Sequence, residues 1–129
     1  MREVSLGVWG LINEVSVLTY EVRARYVDDV RMYLSEGYSE HDCVEINSLL
    51  AEVLRRCLGI PAKLVSVAPL LDYEVKHYAV LVEVSGQRII ADAVPELTGL
   101  IPEELPGPLI MTEEEYRAFF LSYLQTHTT

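Results

Sequence analysis

Several features that mark common protein classes are scarce or missing in this chain. Only two cysteines occur in 129 residues. Cys43 and Cys57 are fourteen positions apart in one expected helix. That spacing separates them by about 21 Å, far beyond disulfide reach, so both are expected as free thiols of a reducing cytoplasm. No Cys-x-x-Cys or His-x-x-x-His spacing is present, which argues against a zinc site, and no cofactor is expected. Lysine and arginine number 10 against 20 aspartates and glutamates, a formal net charge of −10. Such a balance excludes a nucleic-acid partner, which requires clustered basic residues, and it tolerates a small or cationic substrate. No apolar run reaches the ~18–20 residues needed to cross a bilayer. The N-terminal stretch carries Glu3 and Glu14 without a small-residue cleavage site, so no signal peptide is read. Repeats, low-complexity tracts and dividing linkers are also lacking, and a single domain spanning 1–129 is expected.

Apolar residues, by contrast, make up 50% of the chain, ample for a core without disulfide or metal support. In the segment 1–36, Val15, Leu18, Val22, Tyr26, Val30, Tyr33 and Leu34 recur at three- and four-residue steps. That is the stripe of a helical segment, with a break expected near Gly7 to Gly10. A second helix is marked by Ile46, Leu49, Leu50, Val53, Leu54, Cys57 and Leu58. Asp42 is its expected N-cap, with Glu45 three residues on, and Gly59 and Pro61 close it. The pattern then turns to strand in "AKLVSVAPL", "KHYAVLVEV" and "QRIIADAV", the last two joined at "SGQ". Four of the six prolines fall in "PELTGLIPEELPGPLI", which reads as irregular. Thr112, with Glu115 three residues on, opens a last helix over 112–125. Helices, then a small antiparallel sheet, then a helix define an α+β class.

One set of residues carries candidate chemistry. Cys43 sits three residues before Ile46, on the inward stripe at a helix start. Unpaired N–H groups and the helix dipole there favour a thiolate and can hold an oxyanion. A thiol nucleophile needs a histidine and a group to orient it. His77 opens the middle strand and Asp92 falls in the next. The plainer alternative is a buried filler cysteine beside a structural histidine. His41 reads as a loop residue or a competing base, while Cys57 and His127 read as inert. Glu45 and Asn47 read as a cap and a hydrogen bonder on the helix face. Tyr116, Phe119, Phe120 and Tyr123 have helical spacing and read as core.

The order of these pieces resembles a known family. "DCVEINSLLAEVLRRCLGIPAKLVSV…HYAVLVEVSGQRIIADAVPEL" is similar to the catalytic core of the transglutaminase-like superfamily, within the papain-like group, over residues 39–97. Locally, "CVEINSLL" also resembles the Cys-x-Glu-x-Asn segment of arylamine N-acetyltransferases, in which Glu45 and Asn47 would brace the catalytic loop. The resemblance implies a papain-like α+β core, its nucleophile helix packed on a small antiparallel sheet, with extra N- and C-terminal helices. It implies Cys43 as nucleophile, His77 as general base and acid, and Asp92 as the orienting acid. The implied enzyme attacks an amide or ester of a peptide, protein or small molecule through a thioester. Hydrolysis by a peptidase, amidase or deamidase is the leading outcome. Acyl transfer on the same triad is an alternative, as is a non-catalytic binding or regulatory module, alone or in an oligomer or larger assembly. This chain departs from the family pattern at Asp42, a charge directly before the nucleophile, and at "HYA" in place of "HAW".

Strand register gives a geometric expectation. With Gly86 and Gln87 as a two-residue turn, paired residue numbers sum to 173. Asp92 then faces Leu81 and lies on the same face as His77, but about 13 Å along the strand. Glu96, which then faces His77, stands as the reserve orienter.

Overall fold

A computed structural model describes residues 2–101 and 107–127, and the side chains of residues 10–101 and 107–124. Helix α1 (Arg2–Arg25) passes through Gly7 and Gly10 without the expected break. The interruption falls instead at Tyr26 (φ −113°, ψ 13°), where α2 (Val27–Glu36) begins. An interior glycine costs a helix only about 1 kcal/mol, and burial of Val15 and Val22 outweighs that cost.

Helix α3 (Glu40–Leu58) starts one turn earlier than Asp42 suggested. Ser39 is the N-cap, in extended backbone, and its hydroxyl accepts from the His41 N–H at 3.3 Å. Asp42 is the third helical residue, and its Oδ2 accepts from the Ser39 N–H at 2.8 Å, so the two make a capping box. The helix ends as expected at Gly59 (φ 63°), whose N–H reaches Arg55 O at 3.0 Å. Cys57, placed by its spacing on the inward stripe, is exposed. In that last turn the inward side has passed to Leu58, which is half-buried.

Strands β1 (Ala62–Ser66), β2 (Tyr78–Val84), β3 (Gln87–Asp92) and β4 (Leu109–Thr112) form one antiparallel sheet in sequential order. A one-turn helix, α4 (Ala68–Leu71), follows β1, and a 3-10 turn, Pro95–Thr98, follows β3. Strand β4 was not anticipated, because four residues are too few for alternation to register. Residues 102–106 of the proline-rich stretch lie outside the described residues. Helix α5 (Glu113–His127) begins where expected: Thr112 Oγ1 accepts from the Glu115 N–H, and Glu115 Oε1 accepts from the Thr112 N–H.

The sheet is covered on both faces. Val80, Val82, Ile89 and Ala91 join a core with Ile46, Leu50 and Leu54 of α3 and Val15 and Val22 of α1. Ala79, Leu81 and Ile90 join a second core with Leu71 of α4 and Tyr116 and Phe120 of α5. A strand buried on both faces loses the alternation of a one-sided strand, which is why "YAVLV" reads as a nearly continuous apolar run. No helix among the described residues is long and apolar enough to cross a membrane.

The β2–β3 turn sets the register. Val84 pairs with Gln87, so Ser85 and Gly86 are the turn residues, with φ of 52° and 79°. Two positive φ values define a type I′ turn, the form that fits strand twist. Paired numbers therefore sum to 171, as in Val80↔Ala91, not the expected 173. Asp92 moves two residues closer to His77. Gly86→Val, which forces a branched side chain into this backbone, is expected to lower unfolding free energy by about 1–2 kcal/mol. Ser85→Asn, suited to positive φ, is expected to raise it by about 0.5 kcal/mol; urea unfolding of both variants checks the turn and register together.

Candidate active site

The site forms where β2 and β3 part. Counting from the turn, hydrogen-bonded pairs alternate as Val84 with Gln87, Val82 with Ile89 and Val80 with Ala91. The next such pair in this register is Tyr78 with Ala93, and there the direct bond is replaced. The Asn47 carboxamide of α3 takes its place: Oδ1 accepts from the Ala93 N–H at 3.0 Å, and Nδ2 donates to Tyr78 O at 2.8 Å. A side-chain amide has the donor and acceptor of a peptide group, so it satisfies both strands where their ladder ends.

Asn47 also donates to Asp92 Oδ1 at 3.1 Å, and the Val94 N–H donates to the same oxygen at 3.0 Å. The other carboxylate oxygen, Oδ2, receives Nε2 of His77 at 2.7 Å and the Tyr116 hydroxyl of α5 at 2.8 Å. The carboxylate thus has four donors. An unpaired buried carboxylate is very costly, and this one is fully buried. Burial pushes Asp92 up, but the His77 charge and the bonds from His77, Tyr116 and Asn47 hold it below its ordinary value.

His77 lies immediately before β2, and its backbone carbonyl accepts from the Val67 N–H at 3.0 Å, extending the β1–β2 pairing by one residue. Burial pulls the imidazole down, yet the Asp92 charge and hydrogen bond, joined by Cys43, raise it to about 10. Among the described residues, Nδ1 of His77 is the one buried side-chain polar atom without a hydrogen-bond partner. Cys43 is close enough to His77 to contribute to raising it, but its thiol is not hydrogen-bonded to the imidazole and donates instead to Glu40 O at 3.1 Å.

Cys43, His77 and Asp92 therefore come together, with Nε2 committed to Asp92 and Nδ1 uncommitted. The expected 13 Å gap along the strand is absent, because the turn shifts the register and Asp92 comes to lie diagonally across from His77. Glu96 is not the orienter. It forms a bidentate pair with Arg23 of α1, which also donates to Ala93 O at 2.8 Å. Asp42 serves the capping box. Because the helix starts at Glu40, the first-turn N–H groups of His41 and Asp42 are taken by Ser39 rather than left for an oxyanion. The His41 side chain is exposed at that turn, and that of His127 lies outside the described side chains. Tyr116 escaped the sequence reading, since an aromatic at helical spacing looks like core and nothing local marks its hydroxyl. The trio itself is closed off: Cys43 is 1% exposed, His77 and Asp92 0%.

Comparison with protein-family models, curated proteins and solved structures finds no match, so the chemistry rests on these residues.

The raised histidine and the lowered aspartate predict a pH profile. A folded His77 that holds its proton up to about 10 contributes fully below its unfolded value near 6.5. That contribution drains as pH rises from there toward 10. Asp92, depressed on folding, contributes above its ordinary range and loses that contribution as pH falls. Stability measured by urea unfolding is expected to peak near pH 5 to 6.5 and decline on both sides. Asp92→Asn is expected to flatten the alkaline decline. Separately, Arg23→Leu, which leaves Glu96 buried without its partner, is expected to cost about 3–5 kcal/mol in the same assay.

Proposed function

We propose that this chain is a cysteine enzyme with a transglutaminase-like, papain-like core, acting on an amide or ester of a peptide, protein or small molecule. The observation that carries the proposal is the two-sided commitment of His77. Its Nε2 is held by a saturated carboxylate, and its Nδ1 is left without a partner on an imidazole flanked by Cys43. A thiol, an imidazole and an orienting acid in that relation are the parts of nucleophilic acyl transfer.

In the proposed cycle the Cys43 thiolate attacks the carbonyl carbon, forming a C–S bond and pushing the carbonyl electron pair onto oxygen. Collapse of that intermediate breaks the bond to the leaving nitrogen or oxygen, which takes the proton from Nδ1 of His77. The resulting thioester is attacked by water as neutral Nδ1 accepts its proton. The C–S bond then breaks, releasing the carboxylic acid and restoring the Cys43–His77 pair. An amine in place of water gives acyl transfer. Hydrolysis is the leading outcome because no motif in the sequence marks a second-substrate site. The two unbridged cysteines suit a reducing, cytoplasmic setting.

The closure of the trio favours a second reading, a binding or regulatory module that retains the fold and the buried residues without turnover. The two readings separate on the reactivity of Cys43 in the folded protein. In a Cys57→Ser background, iodoacetamide at neutral pH is expected to modify Cys43 at least about tenfold faster than a free thiol. p-Nitrophenyl acetate is expected to leave one acetyl group on it, by intact mass and peptide mapping. His77→Gln and Asp92→Asn are expected to slow both reactions, and Cys43→Ala to abolish them. Modification of Cys43 only after unfolding would exclude the enzyme reading.

A further inference from the structure

The Tyr116 hydroxyl lies outside the segment that resembles the transglutaminase-like core, yet it reaches the oxygen that holds His77. Tyr116 is fully buried on α5, its ring 4.9 Å from that of Phe120. That packing accounts for the ring but not for the hydroxyl, which donates to Asp92 Oδ2 at 2.8 Å. His77 Nε2 donates to the same atom at 2.7 Å. Oδ1 is separately occupied by Asn47 and the Val94 N–H. Two donors on one oxygen share its charge, so each weakens the pull on the other.

We propose that Tyr116 is a positioning residue of this site: by donating to Oδ2 it fixes the carboxylate against His77 and limits how tightly Asp92 holds the Nε2 proton. The proposal rests on the nucleophile reading above for its catalytic meaning. Its physical content, a hydroxyl that tunes the His77–Asp92 bond, can be measured without turnover.

The groups facing His77 and Asp92 are few. From α3 come Cys43 and Asn47, from α5 Tyr116, and from the chain after β3 the Val94 N–H. Arg23 of α1 and Glu96 lie beyond Ala93 and are paired with each other. Burial and the neighbouring Asp92 charge hold the Tyr116 phenol well above its ordinary value, so it stays protonated and remains a donor across the working range.

The readout is the Nε2–H proton resonance of His77 at neutral pH, in protein carrying 15N-labelled histidine. With three histidines in the chain, His77→Gln assigns the signal. Tyr116→Phe keeps the ring and removes the hydroxyl, leaving His77 as the single donor on Oδ2. The resonance is expected to move downfield as the remaining bond tightens. Wild-type protein made with fluorotyrosine carries a more acidic phenol, a stronger competing donor, and its His77 resonance is expected to move upfield. The fluorotyrosine protein also decides the matter alone if Tyr116→Phe does not fold. A purely structural Tyr116 would leave the resonance in place, and an unmoved signal in the folded variant or in the fluorotyrosine protein overturns the proposal. Iodoacetamide modification of Cys43 in the same samples separates the two ideas. An unreactive Cys43 with a responsive His77 resonance would defeat the enzyme reading and leave the Tyr116 inference standing.

Discussion

The fully buried Asp92 carboxylate imposes the constraint around which the rest of the molecule is arranged. A lone charge in that position would cost several kcal/mol, and it is tolerated because four donors converge on it from separate parts of the chain. His77 precedes β2, Asn47 belongs to α3, the Val94 N–H belongs to the chain just past β3, and Tyr116 belongs to α5. These groups come from both sides of the sheet. The carboxylate is therefore the place where the two cores meet and where the relative placement of α3 and α5 has a polar consequence.

Asn47 connects this electrostatic demand to the sheet. It substitutes its amide for the strand-to-strand bond at Tyr78 and Ala93 and gives its remaining donor to Asp92. The parting of the strands and the binding of the carboxylate are thus one event. Helix α1 adds a second anchor just beyond. Arg23 binds Ala93 O and the Glu96 carboxylate, so the buried segment that follows Asp92 is held from the helical face as well. Both anchors act on residues next to Asp92, which keeps the carboxylate from turning away from His77.

Much of the fold was legible in the sequence, and the reasons it was not all legible are local. The 3.6-residue stripe of α3, the Gly59 stop and the capping box at Thr112 and Glu115 depend on neighbours in the chain, so spacing alone finds them. The start of α3 was misplaced because Ser39 and Asp42 compete as caps, and the choice turns on which backbone extends. The hairpin was expected but its turn was assigned to Gly86 and Gln87. A type I′ turn at Ser85 and Gly86 differs by one residue in position and by two in the pairing sum. That small difference separates a His77 and Asp92 about 13 Å apart along the strand from a hydrogen-bonded pair. Strand β4 was too short to show a period, and Glu96 looked available until α1 supplied Arg23.

By itself the sequence determined the α+β class, the stripe and stop of α3 and the start of α5, because helix stripes and caps are short-range properties of the chain; Cys43, His77 and Asp92 it offered only as candidates. Tertiary structure alone decided that Nε2 of His77 faces Asp92 while Nδ1 has no partner, that Asn47 closes the gap between β2 and β3, and that Tyr116 and Arg23 enter from opposite sides. Each of these depends on where a donor lands at a separation of 15 to 73 positions along the chain. No local periodicity carries that information; it emerges only when burying both faces of the sheet brings the helices to its end.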